Sequence, residues 1–123
     1  MIIDSHCHLS YKGNVENIDI IIQNANDVDV KKFLNIATDF NEFQNIVNIS
    51  SKYENVYYTL GIHPHEASQT TEVVIDEIKK YIKDPKMLAI GETGLDYYYN
   101  HTEKNTQILS LIHISEPTRQ FRI

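Results

Sequence analysis

The sequence is poor in the residues that staple, break or charge a chain strongly. Cys7 is its one cysteine, so no internal disulfide can form, and a reducing compartment, the cytoplasm, is the expectation. Basic residues are scarce: eleven Lys/Arg against seventeen Asp/Glu leave a net charge of −6. No basic patch occurs, which argues against holding nucleic acid by bulk electrostatics. A nuclease whose bound cations supply the positive charge is not excluded. Near the start the longest apolar run is Ile20–Ile22, far short of the ~20 residues a membrane-spanning helix needs. Nor does a basic stretch followed by an apolar core and a small-residue cleavage site open the chain, so secretion is not expected. Linkers, low-complexity tracts and long repeats are missing as well. With 123 residues, 41% apolar and 23% charged, the chain reads as one globular domain rather than a disordered tail or a coiled coil.

What is present is a regular alternation. Short apolar runs at Met1–Ile3, Phe33–Ala37, Val56–Leu60 and Met87–Ile90 read as strands. Between them Ile18, Ile21, Ile22 and Ala25 recur at helical spacing, as do Phe40, Phe43 and Val47, with a helix ending near Tyr53. A third helix fits Thr71–Ile82, with Val74, Ile78, Tyr81 and Ile82 on one face, and Asp84-Pro85 stops it. Strand, loop and helix in repetition predict parallel strands joined by right-handed crossovers. The nearly all-apolar strands predict a sheet covered on both faces. Four such units, the last lacking its helix, use roughly the first 90 residues, whereas a closed eight-stranded barrel needs about 250. The chain therefore reads as the first half of a barrel, or as a small open sheet complete in itself.

Polar clusters follow the first, third and fourth strands, the ends at which α/β folds gather ligands and catalytic groups. After the first come His6-Cys7-His8. In an extended segment their imidazoles point to one side, so both could serve one cation or neighbouring cations. Asp4 could orient an imidazole, or be an ordinary turn residue. Cys7 should face the core as a small apolar filler. After the third come Gly61-Ile62-His63-Pro64-His65, where Gly61 permits a sharp turn and Pro64 stiffens the histidine pair. His63 and His65 there suit contacts to an anionic substrate or proton transfer. After the fourth come Gly91-Glu92-Thr93-Gly94-Leu95-Asp96. Glu92 leaves the core there and could bridge two divalent cations, an arrangement that activates water. Asp96 reads more simply as a cap, His101 as a solvated loop residue. Tyr97-Tyr98-Tyr99 could line a cleft or stack on bases, although three successive side chains cannot all face one way.

Taken together, Ile3-Asp4-Ser5-His6-Cys7-His8-Leu9, Gly61-Ile62-His63-Pro64-His65 and Gly91-Glu92-Thr93-Gly94-Leu95-Asp96-Tyr97-Tyr98 resemble the TatD family of metal-dependent hydrolases, from Met1 to about Gln107. The resemblance implies an α/β fold, about four βα units forming the first half of a TIM-type (β/α)8 barrel of the amidohydrolase-like kind. It implies a hydrolase acting on ester bonds, with deoxyribonuclease activity through water activated by one or two divalent cations. By position it makes His6 and His8 metal ligands and Glu92 the bridging, catalytic carboxylate. His63 becomes a catalytic or phosphate-binding residue, with His65 beside it on the substrate. Imidazoles and carboxylates suit Mg²⁺, Mn²⁺ or Zn²⁺ unequally and exclude none. DNA or another phosphodiester is the expected partner, with no obligate protein partner and no membrane. Two other classes compete: another barrel metallohydrolase acting on an amide, lactone or phosphoester, and a small non-catalytic metal-binding domain. A polymerase-associated phosphoesterase would show a third histidine where Ser10 stands.

The likeness breaks after Gln107, where a family member should continue an amphipathic helix into a fifth strand bearing a histidine. Leu109-Ser110-Leu111-Ile112-His113-Ile114-Ser115-Glu116-Pro117-Thr118-Arg119 instead looks like the in-frame translation of a transposase-type sequencing adapter. The expected division is thus residues 1–108, the N-terminal part of a hydrolase domain, and 109–123, a non-native tail set aside from fold reasoning. Without Arg119, Arg122 and Glu116 of that tail, nine Lys/Arg and sixteen Asp/Glu remain, a net of −7. With three of the expected ligands present, the chain alone is expected to be inactive.

Overall fold

The structure, a computed structural model, describes residues 1–119. Four strands, β1 (Ile2–Cys7), β2 (Val30–Asn35), β3 (Val56–Leu60) and β4 (Met87–Ile90), form one sheet in the order β1-β2-β3-β4, every neighbouring pair parallel. Helices α1 (Ile18–Asp27), α2 (Phe43–Lys52) and α3 (Glu72–Tyr81) connect them, and α4 (Lys104–Arg119) follows β4. The frame is half of a (β/α)8 barrel.

β3 and β4 fall where their apolar runs predict. β1 runs four residues further than Met1–Ile3, because Cys7 pairs with Asn35 and the Ile36 amide donates to the Cys7 carbonyl at 2.8 Å. His6 therefore lies on the strand itself. β2 begins and ends earlier than the apolar run Phe33–Ala37. Lys31 and Lys32 extend without being buried, and the chain turns off at Ile36 toward the site. A 3₁₀ segment at Pro64–Gln69, started by a proline in its first turn, lies between β3 and α3 where the sequence shows no helical period.

Phe33, Val56, Tyr58 and Leu60 point from the sheet toward the helices. Two apolar clusters form there, one around Ile22, Phe33, Ile49 and Val56, the other around Phe43, Ile46, Tyr58, Leu60 and Ile78. The expectation of a sheet covered on both faces holds only for this side. Ile2, Ile3 and Leu88 on the two outer strands remain exposed, since no helix of the described residues lies over them. Cys7 packs against the first cluster as predicted. Its thiol sits 3.3 Å from the Leu34 carbonyl, and burial pushes its pKa up to about 12. Lys86 reaches the Ser50 and Tyr53 carbonyls at 2.5 and 2.8 Å and so satisfies the C-terminus of α2.

α4 takes in the segment set aside in the sequence up to Arg119; residues 120–123 lie outside the described residues. Ser110 meets the Thr70 hydroxyl at 2.6 Å, and Ile114 is buried in the larger cluster beside Val74, Ile75 and Ile78. Any segment with an apolar residue at the right helical step can fill that gap, so the packing is independent of where the codons come from. Among the described residues no helix is long and apolar enough to cross a membrane.

Candidate metal centre

The carboxyl ends of the strands open into a cleft of ≈ 400 Å³ lined by His6, His8, Tyr11, Thr38, His63 and Glu92, with His65 and Glu66 at its margin. His6 is the next-to-last residue of β1 and His8 follows two residues on, so their rings come together on one side, centroids 5.0 Å apart. Glu92 joins them. One donor atom from each of His6, His8 and Glu92 lies within 4.8 Å of the others, a combination no other trio of described residues offers. The Glu92 carboxylate spans the site, with Oε2 3.6 Å from His6 Nε2 and Oε1 3.6 Å from His63 Nε2.

Three consecutive main-chain carbonyls beyond β2 hold these groups in place. The Ile36 carbonyl faces His8 Nδ1 at 3.1 Å, and since a carbonyl only accepts, that nitrogen carries the proton and Nε2 is left as a lone-pair donor. The Ala37 carbonyl accepts the Glu92 amide at 2.6 Å, and the Thr38 carbonyl accepts the His63 amide at 2.9 Å. Parts contributed by β1, β4 and β3 thus converge on one short stretch of backbone. Gly61 completes the arrangement. A Cβ there would lie 2.6 Å from the Gly91 carbonyl carbon, so β3 and β4 can approach at this level only without a side chain. Its glycine serves that close approach rather than the sharp turn the sequence suggests.

His63 differs from the other two imidazoles. Its Nδ1 accepts the His65 amide at 3.1 Å, so in the neutral ring Nε2 bears the proton and faces Glu92 as a donor. Burial pulls the His63 pKa below its usual value, opposed by the neighbouring Glu92 charge. His65 lies at the rim, its Nε2 2.6 Å from Asp96 Oδ2, and this contact depresses the Asp96 pKa. Asp96 also accepts the Tyr98 and Tyr99 amides, so it ties a turn with no helix there to cap, and is an imidazole partner besides. Asp4 orients no imidazole and is no turn residue either: it lies within β1, paired with Phe33, and its carboxylate accepts the His6 amide at 3.1 Å. Thr38, Tyr11 and Glu66 line the cleft although the sequence reading passes over them. Thr38 had a signal: it is the first polar residue after the second apolar run, the position that marks the other clusters.

The site's chemistry suits a divalent cation. Two imidazole nitrogens and a carboxylate oxygen are borderline donors that Zn²⁺ and Mn²⁺ both accept. Ligands about 2.1 Å from one ion lie at most about 4.2 Å apart, and the trio's donor atoms, all within 4.8 Å of one another, are gathered on that scale. His6 is exposed, which leaves room for water and substrate, as a catalytic rather than a structural site requires.

A parallel βα frame with imidazoles and a carboxylate gathered at its strand ends is the architecture of barrel metal-dependent hydrolases. The family described as TatD related DNase matches residues 3–121, and the chain belongs to that family. It is 37% identical over 115 residues to an uncharacterized metal-dependent hydrolase of Buchnera aphidicola from Acyrthosiphon pisum, covering 86% of this chain and 44% of that protein. To the uncharacterized metal-dependent hydrolase YcfH of Escherichia coli K12 it is 31% identical, over 91% and 43%. To the 3'-5' ssDNA/RNA exonuclease TatD of Salmonella typhimurium it is 32% identical over 89 residues, 72% of this chain and 34% of that one. The fold superposes with a TM-score of 0.88 on the crystal structure of YjjV, a TatD homologue from Escherichia coli, at 22% identity, covering 99% of this chain and 48% of the other. The chain thus spans less than half the length of these curated relatives.

Proposed function

We propose that this chain carries the first half of the catalytic centre of a metal-dependent phosphodiesterase that cleaves DNA, and that His6, His8 and Glu92 hold its divalent cation. The observation that carries this reading is the Glu92 carboxylate, with one oxygen toward the His6–His8 pair and the other toward a histidine donor. A divalent cation in that position supplies a lowered water pKa and neutralises charge on a phosphodiester. The residues of the chain do the rest. His8 is held in the ligating tautomer by Ile36, and His63 offers its Nε2–H to a substrate phosphate oxygen or to a leaving oxygen. His65, tied to Asp96, flanks the substrate path. A relative named as an exonuclease on single-stranded DNA and RNA supports the substrate class.

Activity belongs to the whole protein. Catalytic groups must be held within about half an ångström, and this chain supplies only part of the ligand set its family resemblance implies, so alone it is expected to be inactive. The test has two arms. The 123-residue chain should bind Mn²⁺ in calorimetry, with His6→Ala, His8→Ala or Glu92→Gln each weakening it at least tenfold. The gene product at the relatives' length should cleave single-stranded oligonucleotides with Mg²⁺ or Mn²⁺ and leave amide and lactone panels untouched. Hydrolysis of an amide or lactone in place of DNA would overturn the substrate assignment.

A further inference from the structure

Outside the metal trio, the loop 96–103 carries a row of aromatic rings that the hydrolytic site does not use. Tyr98 is 84% exposed and Tyr99 63% exposed, large for rings held in a well-tied loop. The loop is held from several sides. Asp96 accepts both tyrosine amides, while the buried Gln107 side chain accepts the Asp96 amide at 2.7 Å and donates to the Asp96 and Thr102 carbonyls at 2.9 and 2.7 Å. Thr102 in turn donates to the His65 carbonyl at 2.7 Å. Asn100 adopts a left-handed conformation, φ 54°, which turns the chain so that Tyr99 and His101 lie nearly parallel, 15° apart.

These rings continue the cleft. His63 and His65 are 4.3 Å apart by centroid, His65 is 4.6 Å from His101 and 5.8 Å from Tyr99, and Tyr99 is 4.8 Å from Tyr98. A second depression of ≈ 450 Å³ under His101 and Thr102 shares His65 and Glu66 with the metal cleft, making one groove of the two. Tyr97, by contrast, is covered by the Lys104 ammonium 5.0 Å above its ring. The groove's lining is acidic, with Glu66 shared by both depressions and Glu92 in the first, and Asp96 bonded to the lining His65, within a chain of net charge −6. Among the described residues no Lys or Arg lines the two depressions and the Lys104 ammonium sits over Tyr97, so a ligand on the rings is gripped chiefly by its flat apolar faces.

We propose that Tyr98, Tyr99 and His101 form a stacking ledge for the unpaired bases of a single-stranded nucleic acid whose phosphodiester lies in the metal cleft. This rests on the phosphodiesterase reading and names its substrate class more closely. Stacking accepts any base and needs strands that are not paired, so the ledge selects single strands without reading sequence.

The experiment uses the 123-residue chain in EDTA, so that the ledge is read without the metal, and three fluorescent decamers: oligo-dT, an abasic strand of equal length, and a blunt duplex. Oligo-dT should bind at least about tenfold more tightly than the abasic strand or the duplex. Tyr98→Ala and Tyr99→Ala should each weaken oligo-dT binding about tenfold, and Tyr99→Phe should retain it. Affinity should change less than about twofold between 50 and 200 mM salt, because few phosphates are engaged. Equal binding of the abasic strand, equal binding of the duplex, no binding of oligo-dT, or alanine variants that bind like the parent would each overturn the proposal. Circular dichroism confirms that the exposed substitutions leave the fold intact. Failure of the hydrolytic reading shows separately, as Mn²⁺ affinity that does not depend on His6, His8 or Glu92.

Discussion

Gly61 and Gly91 touch backbone to backbone: a methyl group on Gly61 would stand 2.6 Å from the Gly91 carbonyl carbon and 2.8 Å from its oxygen. Glu92 is the next residue, so the distance between these glycines sets where the carboxylate enters the cleft. Gly61→Ala must push the ends of β3 and β4 apart, and overpacking of this kind costs about 1–3 kcal/mol. Thermal denaturation should register that loss, and Mn²⁺ affinity should fall at least tenfold. A variant of unchanged stability and affinity would show that the strands have room to spare.

Asn35 is fully buried and holds the loop after β1. Its amide donates to the Ser10 hydroxyl at 2.8 Å, and its carbonyl accepts the Leu9 amide at 2.9 Å. Asn35→Leu leaves a main-chain donor unpaired beside His8, at a cost of about 2–3 kcal/mol. Urea denaturation should show this, together with weakened metal binding through displacement of His8.

Glu42 offers a test by pH. Burial raises its pKa, with the Asp39 charge acting in the same direction and the Thr38 amide bond opposing both. A carboxyl whose folded pKa lies above its unfolded value, about 4.3, stabilises the fold fully below that value and loses the contribution as pH rises through the folded pKa. Glu42→Gln does not titrate. The parent's stability relative to this variant should therefore fall as pH climbs above about 4 and level off once the pH is above the raised folded pKa. Urea midpoints at several pH values decide it; a difference that grows with pH would contradict the burial argument.

Gln107 clasps both ends of the aromatic loop from a buried position. Gln107→Leu keeps the volume and removes the three bonds. Hydrogen exchange in residues 96–102 should accelerate at least tenfold while the amides of β2 and β3 keep their protection. Acceleration everywhere would mean that the clasp supports the core instead.

The residues from Leu109 onward carry a proposal of their own, that they are translated adapter rather than native sequence. Genomic sequencing across the codons after Gln107 should find different codons, continuing the amphipathic helix into a strand that bears a histidine. Genomic codons matching Leu109–Arg119 would refute it.

The parallel strands and the gathering of His6, His8, His63 and Glu92 were legible because each motif follows a run whose period and composition identify a strand. β3 and β4 could be bounded to the residue for the same reason. Other features left no such trace. Pro64–Gln69 coils without an apolar period, and the role of Gly61 depends on a partner thirty residues away. Asp96 looks like a cap, and its contact with His65 arises only when the loop after β4 folds back across the strand ends. Ile2, Ile3 and Leu88 read as buried because composition cannot tell which face of a parallel strand a helix will cover.

Ile36, Ala37 and Thr38 give the site oxygen atoms that every amino acid possesses. Any side chain that fits the buried positions 36 and 37 and the cleft-lining position 38 keeps these acceptors, while a single inserted or deleted residue would slide all three out of step at once. The scaffold tolerates replacements that fit and is brittle to changes in length, and a survey of natural variants should find gaps avoided here more strictly than size-conserving substitutions.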